Sequence, residues 1–476
     1  MNNQIFSGLF WRFGERILAQ LVTFIVSVIL ARILDPKDYG NVALIIVFIT
    51  IANVFVVNGF GSALIQKLNV DNIDFSSVFY ANIGLSLFIY LILYLLSPVI
   101  ADFYSSPILC SALRVLALRI PIAAINSIQQ AYVSRNMLFK KFFFSTLFGT
   151  LLSGVVGCVM AYMGFGIWAL VAQYLTNTFV DTVVLWFTVK WRPNFVFSWE
   201  RVKLLLSYGW KLLLSGLLDT GYNQLRSLII GRIYSSEDLA FYNRGQQYPL
   251  LIVTNINTSI SSVLFPAISK SQNDLVAVKN MTRRAIKVSS YIMWPLMIGL
   301  AVIAKPLISL MLTDKWLPCV PYLQIACFTY AFWPIHTANL EAIKALGRSE
   351  IFLFLEVIKK GVGIGLLLVT MNHGVMAIAL SLIVSTITSS FINAYPNRKL
   401  LKYGYIDQIR DIMPSFLISS FMGIVIYLLC FIIKNSLLLI ISQITLGCLI
   451  YIISSKLLCL ESFNYILNIL LKRKKG

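Results

Sequence analysis

Arg12, Glu15, Arg16 and Gln20 stand at i, i+3, i+4 and i+8 within an otherwise apolar stretch, and Lys211, Ser215, Asp219, Tyr222 and Arg226 trace a similar stripe in the second half of the chain. On a helix each set falls along one face. A guanidinium offers a fork that matches phosphate or carboxylate oxygens, and an ammonium offers a point charge. Such a seam is suited to holding an anion, with Glu15 and Asp219 either orienting the cations or coupling to ion movement. Arg119 and the pair Lys359-Lys360 extend the cationic set, and Glu341 and Glu356 extend the acidic one. Glu356 lies at i−3 and i−4 from the two lysines, so it can neutralise one of them, and adjacent side chains diverge by roughly 100°.

These groups occupy apolar segments, where a charge at bilayer depth costs roughly 2.5–3.5 kcal/mol on insertion scales. The cations so placed are Arg12, Arg16, Arg114, Arg119, Lys211, Arg226, Arg244, Lys305, Lys344, Lys359 and Lys360; the acids are Glu15, Asp181, Asp219, Glu341 and Glu356. Arg114, Arg244, Lys305 and Lys344 lie near segment ends and are expected to snorkel. The deeper ones admit two readings. A polar seam can glue helices through interhelical hydrogen bonds, or it can line an aqueous cavity. Glue should be charge-balanced; the excess of cations favours a cavity with an anionic ligand.

The elements that carry these residues follow from composition. The 476-residue chain has 12% charged residues and a mean hydropathy of +0.82. Stretches of about 20 apolar residues, each long enough to cross the hydrocarbon as a helix, recur from end to end. The predicted fold is an all-α polytopic membrane protein of about fourteen spans. They fall at roughly 9–33, 41–62, 78–100, 110–134, 142–163, 166–189, 204–231, 240–266, 286–311, 319–345, 351–371, 373–395, 412–433 and 436–458. Short breaks separate some neighbours, so the count is fourteen or twelve. The first span has no charged leader and no small-residue cleavage site, and it is expected to stay in the mature protein.

A net charge of +20 raises nucleic acid as a partner, but the distribution argues against it. Arg135, Lys140, Lys141, Arg283, Arg284 and Lys472-Arg-Lys-Lys475 lie on one side of the predicted membrane. The connections on the other side hold only Arg32, Lys37, Arg232, Lys315 and Lys434. This is the positive-inside pattern, and it places both termini in the cytoplasm. The basic end then reads as a topological signal at an anionic leaflet. Seven cysteines without a CxxC pair read as small apolar residues, with no metal site.

An internal duplication organises the spans. Arg32, Ile33 and Asp38 recur as Arg232, Ile233 and Asp238, Trp11-Arg12 is answered by Trp210-Lys211, and Pro121 and Arg135 are answered by Pro334 and Arg348. Echoes in one order at nearly one spacing mark a repeated unit. Six spans separate equivalent points, so both copies enter the membrane in the same direction, as in parallel-repeat transporters. The predicted organisation is an N-lobe at 1–190, an interfacial cytoplasmic linker at 191–203, a C-lobe at 204–396, and two extra C-terminal helices with a basic tail at 397–476. The two six-helix lobes would flank a central cavity. Trp191 and Trp199 in the linker suit the membrane interface. Pro121 and Pro334 fall inside spans four and ten, where proline kinks a helix; such kinks serve as hinges or as static packing features. His336 reads as a hydrogen-bonded core histidine or as a titrating group. No Walker A sequence, DxD pair or Ser-His-Asp context is present, and no connection is long enough for a catalytic domain.

Several motifs together carry a family resemblance: Leu30-Ala-Arg-Ile-Leu-Asp-Pro-Lys-Asp-Tyr-Gly40, Ala63-Leu-Ile-Gln66, Trp191-Arg-Pro193, Phe265-Pro-Ala-Ile-Ser269, Trp316 and Gly347-Arg348. The chain resembles Wzx-type flippases of the O-antigen and colanic-acid kind, within the multidrug/oligosaccharidyl-lipid/polysaccharide exporter superfamily, from about residue 5 to 395. The resemblance implies a non-enzymatic transporter of the bacterial cytoplasmic membrane that needs no cofactor. It would move an undecaprenyl-diphosphate-linked oligosaccharide from the inner to the outer leaflet by alternating access, for surface polysaccharide biosynthesis. Implied partners are that lipid-linked glycan, membrane lipids and the polysaccharide polymerase machinery. Two alternatives stand beside it: a cation-coupled drug exporter of the same superfamily, and an integral-membrane glycan polymerase or glycosyltransferase. The matching motifs lie mostly at turns and span ends, so the binding residues are those read from the seams: Arg12, Arg16, Arg119, Lys211, Arg226, Lys359 and Lys360.

Overall fold

The structure, a computed structural model, describes residues 2–57, 61, 64, 67 and 70–472; the side chains of residues 2–13, 16, 208, 211 and 469–472 lie outside the description. Every regular element among the described residues is helical. Hydrocarbon leaves no other partner for backbone N–H and C=O groups, so helices satisfy them internally. Among the described residues, nine helical stretches are long and apolar enough to cross a membrane. Among the described residues of the first helix, Ile17–Ile33 is a shorter apolar stretch. The chain divides into two compact units, Met1–Ala240 and Phe241–Gly476.

The first unit contains α1 (Asn2–Ile33), α2 (Pro36–Val57), α3 (Asn72–Phe103), α4 (Ile108–Leu116), α5 (Arg119–Arg135), α6 (Phe139–Tyr162), α7 (Ile167–Thr188) and α8 (Trp199–Ile233). The duplicated Arg-Ile…Asp motif is a helix stop and restart. Arg32 and Arg232 occupy last turns, Asp38 and Asp238 first turns, so each charge opposes the helix dipole it meets. The two copies also touch. A Cβ on Gly40 would collide with the backbone of Ser236, and one on Gly231 would overlap the Leu44 side chain. The Arg232 guanidinium lies 4.5 Å from the centre of the Phe103 ring. α2 and α8 are therefore in close contact at these ends.

Small residues do the same for α6, which packs on α1 and α7. Gly154 faces Val26, and Gly157 faces Gln173, as close approach of membrane helices requires. The predicted kink at Pro121 is a two-residue turn in which Ala117 and Leu118 keep right-handed helical torsions. α4 ends at Leu116, Ala117 and Leu118 intervene, and Pro121 sits in the first turn of α5, where its missing N–H costs nothing.

One end of this unit is closed by a core of Phe75, Phe79, Phe142, Leu185 and Trp191. Trp191 was expected at the interface. Instead it is buried, 5.5 Å from Phe75 and 6.3 Å from Tyr132 between ring centres, whereas Trp199 is exposed. The strand-like segment after α7 is stitched to α3: Asn194 N donates to Ser76 Oγ and Ser198 N to Ser77 Oγ, both at 2.9 Å. Asp74, fully buried at the start of α3, accepts from Lys67 Nζ at 2.7 Å and from Arg201 at 3.2 Å. Asp71 and Asp74 cap the helix reciprocally.

The second unit continues α9 (Ser236–Lys270, from Phe241 on) through α10 (Leu275–Leu312), α11 (Val320–Ala331), α12 (Trp333–Ala345), α13 (Ser349–Thr370), α14 (Val375–Leu400), α15 (Tyr405–Leu428), α16 (Ser436–Leu457) and α17 (Glu461–Lys472). Pro334 sits in the first turn of α12, after a short turn at Phe332, as Pro121 does in α5. α10 is the central helix and packs on α11, α12, α15 and α16. Tyr291 and Tyr451 seal it against α16: Tyr451 Oη donates to the Tyr291 carbonyl at 2.7 Å and Tyr291 Oη pairs with Ser455 at 3.1 Å. α17 has one apolar face, and Phe463 and Ile466 on it join this core. At its start Glu461 pairs with Lys287 of α10. Lys287 also lies 3.3 Å from Asp411, which accepts a two-bond fork from Arg283 at 2.7 and 2.9 Å and a bond from Tyr403 Oη.

Candidate functional site

Both polar seams belong to the first unit. The side chains of Arg12, Arg16 and Lys211 lie outside the described residues, and only their helical backbone positions on α1 and α8 are given. Glu15 is half-buried and accepts from Thr146 Oγ1 of α6 at 3.0 Å, an interhelical bond. On α8, Asp219 is exposed and accepts from Asn223 Nδ2 at 3.2 Å, one turn away. Arg226 lies 5.9 Å from the Tyr222 ring centre, and its Nε–H is buried without a hydrogen-bond acceptor. Among the described residues Arg226 forms no ion pair. A guanidinium held this way retains donors for an incoming anion.

Arg119 is the second such group. Its Nε donates to Thr178 Oγ1 of α7 at 2.7 Å, and its guanidinium lies 5.5 Å from the Tyr174 ring. The nearest acid along α7, Asp181, instead accepts from Asn126 Nδ2 of α5 at 2.5 Å. Neutral partners therefore hold both charges, and Arg119 keeps its net charge locally unbalanced. Arg114, expected to snorkel, is anchored by Ser97 Oγ at 2.7 Å and stacks over Tyr94. Tyr174, Thr178, Asp181 and Thr182 on α7 form a polar stripe at helical spacing. The stripe is visible in the sequence, but its spacing alone does not say which hydroxyl meets Arg119.

The second unit treats its charges differently. Lys359 donates to Glu356 at 2.5 Å, and Lys344 donates to Glu341 at 2.7 Å. Ser261 Oγ of α9 also donates to Glu341, at 3.0 Å. Lys360 is half-buried beside this set. His336 Nδ1 lies 3.1 Å from Asn393 Nδ2, a hydrogen-bonded core arrangement. Arg244 does not snorkel. It is 5% exposed, donates to Gln247 Oε1 at 2.8 Å and packs 4.9 Å from the Trp316 ring centre. Cation–π contact substitutes for part of the lost hydration. An amide network missed in sequence joins α12, α14 and α15: Asn339 and Gln408 exchange bonds at 2.8 and 2.9 Å, and Asn397 donates to Asn339 at 2.7 Å. Among the described residues no three His, Cys, Asp or Glu side chains converge as metal ligands.

Thus, among the described residues, Arg119 and Arg226 of the first unit have no acidic partner, whereas Lys344 and Lys359 of the second each pair with a glutamate one turn away. A family model described as "Polysaccharide biosynthesis protein" matches residues 29–321, well over half of the chain. The chain belongs to the polysaccharide biosynthesis protein family. Relatives include the teichuronic acid biosynthesis protein TuaB of Bacillus subtilis, 24% identical over 90% of this chain and 89% of TuaB. The succinoglycan biosynthesis transport protein ExoT of Rhizobium meliloti is 24% identical over 71% of this chain and 68% of its own. The lipopolysaccharide biosynthesis protein WzxC of Escherichia coli is 23% identical over 69% and 67%. Among solved structures, the lipid II flippase MurJ in an inward closed conformation covers 94% of this chain and 98% of its own with a TM-score of 0.76 at 18% identity. An inward-facing multidrug resistance MATE transporter covers 82% and 98% with a TM-score of 0.62 at 15% identity. These likenesses establish the fold: a polytopic, all-helical membrane protein.

Proposed function

We propose that this protein is a flippase that carries an undecaprenyl-diphosphate-linked oligosaccharide from the inner to the outer leaflet during surface polysaccharide biosynthesis. The observation that carries the proposal is the pair of arginines, Arg119 and Arg226, half-buried on α5 and α8 without acidic partners among the described residues. A diphosphate supplies the missing negative charge, and guanidinium forks bind its oxygens in two-bond geometry. Relatives named for polysaccharide transport support a glycan as the rest of the passenger.

In this reading Arg12 and Arg16 of α1, Arg119, and Lys211 and Arg226 of α8 bind the diphosphate, while Glu15 and Asp219 orient the cations or couple to an ion. Lys359 and Lys360 serve a secondary role, because Glu356 already answers Lys359. The turns before Pro121 and Pro334 act as hinges. The chain crosses the inner membrane fourteen times, as the lobes 1–190 and 204–396 plus 397–476, with both termini cytoplasmic. It makes and breaks no covalent bonds, and it hands its cargo to a polymerase. The likeness to MATE exporters keeps a cation-coupled drug exporter as the second reading. Such a protein should bind cations through free carboxylates, and Glu341 and Glu356 are both engaged by lysines.

The test is reconstitution in liposomes with a lipid-linked oligosaccharide, scoring leaflet-to-leaflet movement and sugar transfer in one preparation. Movement without transfer is expected. Sugar transfer, or drug efflux with no lipid movement, would overturn the assignment.

A further inference from the structure

Two adjoining apolar cavities, of about 210 and about 310 Å³, lie in the second unit and share Trp294, Phe328 and Phe416 as a common wall. Along α15 the first runs from Tyr405 to Phe416, and the second continues to Tyr427. At ~1.5 Å per residue the first is ~16 Å long, about half of a hydrocarbon core of ~30 Å. Its depth is therefore that of one leaflet.

The mouth of this first cavity is chemically distinct from its walls. Tyr405 stands there, edge-on to Phe391 at 5.7 Å, in the kind of aromatic cluster that settles at headgroup level. Around the α14–α15 turn stand Arg398, Lys399, Lys402 and Arg410, all exposed and, among the described residues, none in an ion pair. The stem of Arg398 lies along Gly404, next to Tyr405. The nearby acids do not offset the four cations: Asp407, which caps α15 by accepting from Gly404 N, brings one negative charge, and Asp411 is held by Arg283 and Lys287, so the rim stays net positive. A one-leaflet apolar cleft with an unneutralised cationic rim matches a molecule with one hydrocarbon chain's length and a negative head.

We propose that this cleft binds an anionic phospholipid of the adjacent leaflet. One acyl chain lies against Trp294 and Phe416, and the phosphate lies on the Arg398–Arg410 rim. This site is separate from the passenger proposed above and does not depend on it. A polyprenyl tail, longer than one leaflet, would instead fill both cavities.

The experiment is native mass spectrometry of the full-length protein, stripped of phospholipid in detergent and then titrated with phosphatidylglycerol or phosphatidylcholine of identical chains. Phosphatidylglycerol adducts are expected at lipid concentrations at least tenfold lower than phosphatidylcholine adducts. Arg398→Glu with Arg410→Glu should abolish that preference, with Arg398→Gln and Arg410→Gln as milder substitutes if the reversal fails to fold. Ile387→Trp, which narrows the cleft from its exposed side, should reduce retention of both lipids. Equal retention of the two lipids, a preference that survives charge removal, or displacement of phosphatidylglycerol by polyprenyl phosphate would overturn the proposal.

Discussion

Leu44 of α2 fills the space that a side chain on Gly231 of α8 would need, so the two copies of the duplicated motif are packed face to face. Gly40 completes the contact against the backbone of Ser236. The prediction separates the two glycines. Gly231→Ala meets only the flexible end of a leucine and should cost about 1 kcal/mol, whereas Gly40→Ala meets backbone and should cost about 1–3 kcal/mol, the range for overpacking. Thermal unfolding in detergent should rank them in that order; the reverse order would contradict this packing.

Arg119 relies on one hydroxyl and one ring. Thr178→Val removes the Nε acceptor while keeping the volume, and stranding that donor should cost about 1–3 kcal/mol. Arg119→Ala should lower glycan-lipid movement at least tenfold at unchanged protein level, and Arg119→Lys should restore part of it. Full transport by Arg119→Ala in liposomes would remove this residue from the binding set.

Asp74 and Asp71 differ in burial though both face Arg201. Asp74 is fully buried with Lys67 and Arg201, whereas Asp71 is half exposed. Asp74→Asn should destabilise by about 2 kcal/mol and Asp71→Asn by under about 1 kcal/mol, because exposed pairs contribute little. Comparing the unfolding midpoints of the two variants checks this.

Docking of α17 should depend on pH. The Lys287 hydrogen bond holds the Glu461 carboxyl below the ordinary glutamate range, with Arg283 assisting and Asp411 opposing. A carboxylate depressed in the folded state stabilises above its unfolded pKa, and that contribution is lost as the pH falls through the folded value. Hydrogen-exchange protection in α17, taken relative to the intrinsic exchange rate at each pH, should therefore be constant from neutral pH down to the ordinary glutamate range and should fall below it. Glu461→Gln should abolish the pH dependence. The effect should stay under about 1 kcal/mol, because Glu461 is largely exposed.

Spans with uniform apolar character were readable from sequence. The expected 142–163 is α6 at Phe139–Tyr162, and 436–458 is α16 at Ser436–Leu457. Helix length in a bilayer is set by local composition, so local reading succeeds there. Proline positions located the expected kinks, short turns at 117–118 and at 332 where the backbone stays right-handed helical. Partners were less legible. The bond from Arg119 to Thr178 joins residues on different helices, and nothing local distinguishes Thr178 from the other hydroxyls of α7. Trp191 misled because a tryptophan beside an arginine fits an interface as well as it fits a core. Only the docking of its segment on α3 decided the matter.

That docking has a mechanical consequence. With its backbone amides tied to Ser76 and Ser77 and its indole plugged between Phe75 and Tyr132, the segment between α7 and α8 has no slack. It behaves as a splint, not a tether, between α7 and α8.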